Sequence, residues 1–522
     1  MAPPRYLFLR LSALGDVIFA LEALHALKQQ IPEARVDWAV EDRARELLEG
    51  HPLLERVLVY PRKELVQSVL RPWRWPAALR ALTRFVRELR AVRYDAVLDL
   101  HGNLKSALHM LFSRGLSKYA FRPPRAKELS HLVANRLVSL GGEPLHRAEQ
   151  GRRMIAELLG KDGKELPPGE GPLLPPRSPE REKAGDFLAS ASVRGPTIVL
   201  APGSSSFARF KRWPVEQFRE LARRLEGRGH RVIVCTGPGE EALAEAIGAA
   251  SGNRSLWLDG ARQGLGVTLE VLRRAAVVVA ADSGPLHMAQ AVGTRAVALF
   301  GPKDPSIYGP RLEGSIVLRH PMPCMPCGER GCGAPLCVQA IAVEEVEAAI
   351  HKILSERPEV LILRHYKENR KKCTLEPLLG REDLRFVEFR PGKKLAVDGY
   401  ILLQPEAPEL GPEDRGRPLL LLDSTWRYLE GMRACLEGAP HPRALPLAIR
   451  TAYPRGTVLS EEPRGGLASI EALYAALRIL GHRDDSLLDE YHWREEFLEG
   501  FERRDCRPGP GEVASAPTCP PR

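Results

Sequence analysis

The stretch 277–302, VVVAADSGPLHMAQAVGTRAVALFGP, reads as a strand, a tight turn, a helix and a second strand. Residues 277–281 are β-branched or small, the composition of a strand buried on both faces. Asp282-Ser283-Gly284-Pro285 interrupts that run, and Pro285 suits the first turn of a helix, where a missing N–H does no harm. A helix over 286–292 follows, Gly293 suits its C-cap, and 296–300 repeats the buried-strand pattern. Such a unit sets a helix N-terminus at the carboxyl edge of a parallel sheet, where free backbone N–H groups suit a phosphate. Asp282 falls at the strand tip, where a carboxylate can accept sugar hydroxyls. An ordinary βαβ turn with Asp282 as a cap accounts for the same residues.

Working back along the chain, strand 197–201 leads into Pro202-Gly203-Ser204-Ser205-Ser206, then Lys211-Arg212-Trp213-Pro214 and a helix over 215–228. Strand 231–236 ends in Gly237-Pro238-Gly239-Glu240-Glu241, and strand 255–259 and a helix over 268–275 complete the series. Loop 202–212 offers small residues for close backbone approach and a lysine, Lys211, for a diphosphate. Glu240 or Glu241 stands where a carboxylate can hold a ribose diol. The Pro- and Gly-rich segment 160–196 reads as a linker. Before it, strands 6–9, 35–40, 56–60 and 95–100 alternate with helices over 43–50, 76–92 and 103–112, following a helix after Leu11-Ser12-Ala13-Leu14-Gly15-Asp16. The prediction is α/β, two Rossmann-like domains facing a cleft, with active loops at the carboxyl ends of parallel strands.

Loop 61–76 and the next helix interleave Arg62, Lys63, Arg71, Arg74, Arg80, Arg84, Arg87, Arg90 and Arg93 with Trp73 and Trp75. Leu79, Leu82, Val86 and Leu89 are expected to form the buried stripe, leaving the arginines outside. That face suits lipid headgroups or an anionic acceptor, or is simply a solvated basic surface.

The chain has 522 residues, too long for one core, with 44% hydrophobic and 27% charged residues. Its net charge of +10 favours anionic partners without choosing among nucleic acid, glycolipid and membrane. No apolar run is long enough to span a bilayer, and MAPPRYLFLR enters a strand without a signal-peptide core. Nine cysteines in such a length are no disulfide scaffold, and a cytoplasmic location is expected. Cys324, Cys327, Cys332 and Cys337 form a short cluster that either holds structural zinc or consists of reduced, packed or redox-labile thiols.

Residues 5–355 resemble glycosyltransferase family 9, the ADP-heptose:lipopolysaccharide heptosyltransferases. The likeness rests on LSALGD at 11–16, DLHGNLKSA at 99–107, PGSSSFARFKRWP at 202–214, ADSGPLHMAQAVGTRAVALFGPKDP at 281–305 and the cysteine cluster. The resemblance implies a GT-B fold, a nucleotide-sugar donor in the C-terminal half, and a metal-independent, inverting transfer to a lipopolysaccharide-core-like acceptor. It implies Asp16 as the general base, Lys211 as the group that neutralises the departing diphosphate, and Asp282 as the group that orients the sugar. Ser204, Ser205, Glu240, Ser283, Gly284, Pro285, Leu286 and His287 would complete the donor site. Pro285 departs from the family's usual non-proline and removes one backbone donor.

The chain continues well past its closing helix at 343–355. Strands 360–363, 384–389, 400–404, 418–422 and 444–449, helix 467–480 and a helical 486–502 are expected. KKCTLEPL at 371–378, LLLLDSTW at 419–426, RALPLAI at 443–449 and LASIEALYAAL at 467–477 resemble the small-subunit rRNA aminocarboxypropyltransferases and their DTW-type relatives. That resemblance implies a knotted SPOUT-class α/β domain that binds S-adenosylmethionine, with Thr374, Leu420, Leu445 and Ser469 lining the pocket. Asp423 and Glu471 are the candidates for polar roles. The implied reaction places a 3-amino-3-carboxypropyl group on an RNA base nitrogen, and the basic run 364–372 would suit RNA phosphates. The segment between Ala448 and Leu467 departs from that family's usual wording.

The expected domains are 1–165 for the acceptor, 166–355 for the nucleotide sugar and 356–507 for S-adenosylmethionine, with 508–522 a disordered tail. The expected partners are an ADP-heptose-like donor, a lipid-linked anionic saccharide and RNA. Peripheral contact with the cytoplasmic face of the inner membrane is a further candidate. The alternative is a transferase of another nucleotide sugar with a non-catalytic RNA- or partner-binding module.

Overall fold

The computed structural model describes residues 3–142, 144–161, 166–169, 172–190, 196–248, 256–327, 332–355, 358–368, 370, 373–381, 383–454 and 466–505. The predicted tail, 508–522, lies outside the described residues, as do 455–465 and part of the basic run 364–372. The chain divides into two compact units, Met1–Ile353 and Leu354–Arg522.

The first unit holds two six-stranded sheets. One comprises β1 (Arg5–Leu9), β2 (Arg35–Glu41), β3 (Arg56–Tyr60), β4 (Arg93–Asp99), β5 (Arg114–Phe121) and β6 (Arg136–Val138). The other comprises β7 (Thr197–Ala201), β8 (Arg231–Thr236), β9 (Leu256–Asp259), β10 (Val277–Ala281), β11 (Ala296–Leu299) and β12 (Ile316–Leu318). All pairings are parallel. The orders are β3-β2-β1-β4-β5-β6 and β12-β11-β10-β7-β8-β9, so the strand order reverses once in each, beside β1 and β4 and beside β7 and β10. Ligands of open α/β sheets bind at the carboxyl ends of strands at such a reversal. Every residue of β7 and β10 is buried, as their apolar composition requires.

One apolar cluster runs through both sheets, from Phe8, Val17 and Leu21 to Val278, Leu286 and Phe300. Helix Leu14–Gln30 packs against both helix Arg147–Leu158 and helix Gly284–Ala291, joining the two lobes. The described part of the predicted linker is a pinned strap followed by helix Ser178–Ala189, so the segment is more ordered than its Pro- and Gly-rich composition suggested. The Leu174 N–H donates to the Ala291 carbonyl at 3.0 Å, and the Leu173 carbonyl lies 3.0 Å from His51 Nε2.

Several elements differ from the sequence reading. Strands β5 and β6 and helix Arg147–Leu158 were not anticipated, because RGLSKYAF mixes glycine and lysine into an otherwise apolar run. The helix expected over 268–275 starts at Gly260, where the Asp259 carboxylate accepts the Ala261 N–H at 2.9 Å, and it kinks at Gly264. Leu79 is 62% exposed. In helix Trp75–Arg90, Leu89 is buried as expected and Leu82 and Val86 are half-buried, but Ala78 and Phe85 join the buried face in place of Leu79, with Phe85 taking the core position beside Tyr60 and His109.

In the second unit, β13 (Val360–His365), β14 (Leu384–Phe389), β16 (Ile401–Leu403), β17 (Leu419–Asp423) and β19 (His441–Arg443) form a parallel sheet of order β14-β13-β17-β16-β19. A two-stranded ribbon pairs β15 (Leu395–Ala396) with β18 (Leu436–Glu437). The strand expected over 444–449 is absent: pairing stops at the Ala444 bridge, and Pro446 has no N–H to continue the ladder. The helix expected over 486–502 is a 3₁₀ turn, Asp485–Leu488, followed by helix Arg494–Asp505. Helix Ser469–Ile479 buries Ile470, Leu473, Tyr474 and Leu477 against the sheet's core.

Candidate active site

In the first sheet β1 delivers Arg10 and, one turn on, Asp16 at the start of helix Leu14–Gln30. Arg10 donates from Nη1 to the Leu100 carbonyl at 2.6 Å and lies 2.5 Å from Asp16 Oδ2 through Nη2. Asp99, at the end of β4, is fully buried. Its carboxylate accepts the N–H groups of His101 and Gly102, both at 2.9 Å, and the Ser106 hydroxyl at 2.9 Å. That carboxylate shapes the loop whose carbonyls hold Arg10 and Arg125, since Arg125 Nη1 donates to the His101 carbonyl at 2.9 Å.

Arg10, Asp16, Phe19, Arg125, Arg147 and Gln150 are among the residues lining an open recess. Burial pushes the Asp16 carboxyl upward, but Arg10, Arg147 and Arg125 outweigh it and hold the group below the ordinary aspartate range. The result is an ionised carboxylate, about a third exposed, in a strongly cationic recess. Such a recess can bind an anion and accept a proton from a hydroxyl beside it.

In the second sheet Lys211 and Asp282 come together from 71 residues apart. Lys211 Nζ donates to Asp282 Oδ2 at 2.5 Å, and His287 Nε2 lies 3.3 Å from Asp282 Oδ1. Burial pushes the Asp282 carboxyl up, yet His287 and Lys211 bring it down to about 2. Ser283 precedes helix Gly284–Ala291 in extended conformation, and its buried hydroxyl has no partner. Gly284 and Pro285 form the half-buried first turn beside it. Leu286 is fully buried in the core, so only its backbone can face that helix end.

Glu240 does not stand free at its strand tip. Arg212 Nη2 donates to Glu240 Oε1 at 2.7 Å, and the Gly237 N–H donates to Oε2 at 2.9 Å. A Cβ on Gly203 would lie 1.8 Å from that carboxylate, so the glycine is what admits it. Arg212 also donates to the Ser204 hydroxyl at 3.1 Å, while Ser205 is exposed.

The two halves of the site meet through aromatic rings. Phe19, one turn beyond Asp16, stacks edge-on against His287 at 4.6 Å and His146 at 5.2 Å. His146 Nε2 lies 3.1 Å from the Gly309 carbonyl, and Arg147 donates to the Tyr308 hydroxyl at 3.0 Å. A Cβ on Gly15 would lie 2.4 Å from His287 Cδ2. Gly15→Ala is therefore expected to displace His287 from Asp282 and weaken nucleotide binding about tenfold, measured by calorimetry with ADP. Unchanged affinity would show that the His287 contact does not shape this site. Arg10, Phe19, Arg125, His146, Arg147 and Arg212 escaped the sequence reading. Only the position of Arg10 after a buried strand carried any signal.

Cys324, Cys327, Cys332 and Cys337 all lie within the described residues. Among the described residues no three His, Cys, Asp or Glu side chains are grouped to hold an ion. Cys337 is buried, Cys324 and Cys332 are exposed, and burial pushes the Cys337 thiol up, with Cys324 adding to it.

In the second unit the Asp423 carboxylate, at the end of β17, accepts Arg364 Nε at 2.9 Å and the Cys373 thiol at 3.2 Å. Arg364 also reaches Glu376 at 2.7 Å, and burial pushes the Cys373 thiol up to about 12. The Thr374 hydroxyl accepts the Ile470 N–H at 3.3 Å, which brings Thr374 beside Ser469. Leu420 is fully buried in the sheet, and Leu445 packs at the edge of the apolar core. Glu471 is fully buried and saturated: it accepts the Thr451 hydroxyl, the Ala452 and Ala468 N–H groups and the Tyr491 hydroxyl at 2.6 to 2.9 Å. The polar role it plays here is within the core. Among the described residues no helix is long and apolar enough to cross a membrane.

The sequence profile of glycosyltransferase family 9 (heptosyltransferase) matches residues 82–337. Lipopolysaccharide heptosyltransferase 1 of Pseudomonas aeruginosa is 31% identical over 343 residues, covering 63% of this chain and 87% of that protein. The solved E. coli heptosyltransferase WaaC with ADP is 26% identical with a TM-score of 0.54, covering 67% of this chain and 99% of that one. The family 9 glycosyltransferase structure from Veillonella parvula, 22% identical, shares the fold with a TM-score of 0.58 over 68% of this chain and 98% of that one. The chain belongs to glycosyltransferase family 9, the heptosyltransferases.

Proposed function

We propose that the first unit moves a heptose-type sugar from an ADP-heptose-like donor to a lipid-linked anionic saccharide of the lipopolysaccharide-core kind. The observation that carries this reading is the approach of Asp16 and its three arginines to the Lys211–Asp282–His287 cluster, through Phe19 and Gly15. In the proposed step the acceptor oxygen attacks the anomeric carbon from the face opposite the leaving group. The bond from that carbon to the diphosphate oxygen breaks, and the hydroxyl proton passes to Asp16. Lys211 releases Asp282 to take the charge growing on the diphosphate, and the freed Asp282 accepts sugar hydroxyls. The partnerless Ser283 hydroxyl and the helix start behind it suit a phosphate oxygen. Arg10, Arg125 and Arg147 suit the acceptor's acidic groups.

Lys211→Ala is expected to lower affinity for ADP at least tenfold and to abolish ADP release from the sugar donor in a coupled assay. Wild-type affinity would remove Lys211 from the donor site. ADP release that is identical for ADP-heptose and other nucleotide sugars would favour the alternative, a transferase of another donor.

For the second unit we propose an S-adenosylmethionine-dependent aminocarboxypropyl transfer to RNA on a knotted SPOUT-type fold. When bound, S-adenosylmethionine would supply the transferred group. Thr374, Leu420, Leu445 and Ser469 would hold it, and the buried, partnerless Ser424 hydroxyl at the end of β17 is a ready donor or acceptor for it. RNA would meet Lys367, Arg370 and the exposed Tyr366, which stacks on His365 and through it on Tyr428 at 4.4 Å. Calorimetry of the full chain with S-adenosylmethionine tests this. No heat of binding would leave the unit a partner-binding module, as in the alternative reading.

A further inference from the structure

Helix Leu104–Phe112 is turned inside out. It buries Ser106, Ala107, His109 and Met110 and leaves Leu104, Leu108, Leu111 and Phe112 exposed. Positions 104, 108, 111 and 112 fall on one helical face. Three more leucines extend the exposed set from neighbouring elements: Leu116 on β5, 75% exposed, and Leu129 and Leu132, each 69% exposed. The 3₁₀ turn Ser130–Val133, which carries Leu132, packs against both the helix and β5. A monomeric soluble surface rarely gathers so many large apolar side chains in one place.

The backbone is shaped to present them. Glu128 and Leu129 are consecutive non-glycine residues in the left-handed region, at φ 54° and 56°. That conformation costs free energy for both side chains and needs an outside restraint. The restraint is present: the Lys127 N–H donates to the Gly102 carbonyl at 2.9 Å, and Glu128 Oε2 accepts the Leu104 N–H at 3.0 Å. The Glu128 carboxylate, spent on the helix start, is the only acidic side chain in residues 101–142, a stretch with seven lysines and arginines. Arg114, Lys127 and Arg136 are exposed around the apolar face, and Arg90 donates to the Phe112 carbonyl beside it.

We infer that this face docks the enzyme on an anionic lipid bilayer. Leucine and phenylalanine side chains would enter the interface, and the basic rim would meet the headgroups. The charge pattern favours lipid over a second copy of the chain, because pairing this face with itself would oppose two basic rims. The helix begins directly after the loop Leu100–Asn103, whose carbonyls anchor Arg10 and Arg125. A docked bilayer would therefore lie next to the Asp16 recess, where a lipid-linked acceptor is needed. The inference rests on the proposed acceptor class for its purpose, but not for its test.

The test is cosedimentation of the full chain with vesicles of phosphatidylcholine alone or with 30% phosphatidylglycerol (about one anionic lipid in three), without acceptor. The expected result is binding to the anionic vesicles only, weakened by salt. Leu108→Gln/Leu132→Gln should lower it at least tenfold, as should Arg114→Glu/Lys127→Glu by a separate route. Equal turnover of a delipidated acceptor by both variants would show that they are folded and that the catalytic reading stands apart. Vesicle binding unchanged in both variants would overturn the inference. A wild-type dimer in sedimentation velocity that both variants dissociate would also overturn it, assigning the face to a second copy. Patch-dependent vesicle binding without any sugar transfer would sustain the docking face and remove the proposed activity instead.

Discussion

Asp16→Asn is expected to lower kcat for sugar transfer about 10³-fold, about 4 kcal/mol of barrier, while leaving donor affinity unchanged. The replacement keeps the side chain's size and one oxygen for Arg10, so the recess should survive. What it removes is the one negatively charged group among the described residues of the recess lining, the group able to take a proton from an incoming hydroxyl. Lys211, Asp282 and His287 form their own cluster in the other sheet and need nothing from Asp16. Donor binding by calorimetry and single-turnover transfer measured on one preparation separate the two effects. Turnover near wild type would remove Asp16 as the base.

The same recess predicts an unusual pH profile. Burial pushes the Asp16 carboxyl up, but Arg10, Arg147 and Arg125 hold it below its ordinary value in the free enzyme. A base with a lowered pKa stays ionised down to more acidic pH, so the acid limb of kcat/KM should lie on the acidic side of the ordinary aspartate range. Such a carboxylate is a weak proton acceptor. An anionic acceptor seated on the arginines offsets their charge and raises the proton affinity of Asp16 as it binds. The acid limb of kcat, which reports the bound complex, should therefore lie at higher pH than that of kcat/KM. Coincident limbs would mean that the acceptor's charge does not reach Asp16.

Much of the first unit was legible because its elements are local. Buried strands such as Val277–Ala281 declare themselves by composition, and small residues after them mark the sheet edge. Asp282 could be named because it follows directly on a buried strand, and Lys211 because it closes the small-residue loop after another; His287 came only with the family resemblance, and the three do converge. The cationic recess was not legible. Arg125 and Arg147 lie more than a hundred residues from Asp16, on elements with no ligand signature, and only folding brings them to it. Glu240 shows the opposite failure: its strand-tip position was visible, but its lock by Arg212 was not. In the second unit the apolar run 444–449 looked like a strand because its composition matches one. Pro446 and the lack of a pairing partner decided otherwise.

Glu471 carries the other large effect, on stability. Its buried carboxylate is the shared acceptor for Thr451, Ala452, Ala468 and Tyr491, which tie the chain before and after 455–465 to the last helical segments. Burial and the neighbouring Glu471 push the Tyr491 hydroxyl well above the ordinary tyrosine range, so it remains a donor at any working pH. Glu471→Ala leaves four donors without an acceptor, at about 1–3 kcal/mol for each that stays buried. The expected loss is at least about 4 kcal/mol, a large part of what holds a domain of this size together. Glu471→Gln should cost less, because its amide oxygen still serves two donors while its NH₂ opposes the others. Hydrogen exchange of the peptides containing Ala452 and Ala468 reads the effect in the full chain. Fast exchange there, with slow exchange kept in β7 and β10, is the expected pattern. A Glu471→Ala chain that keeps wild-type protection but no longer binds S-adenosylmethionine would return this carboxylate to the ligand site.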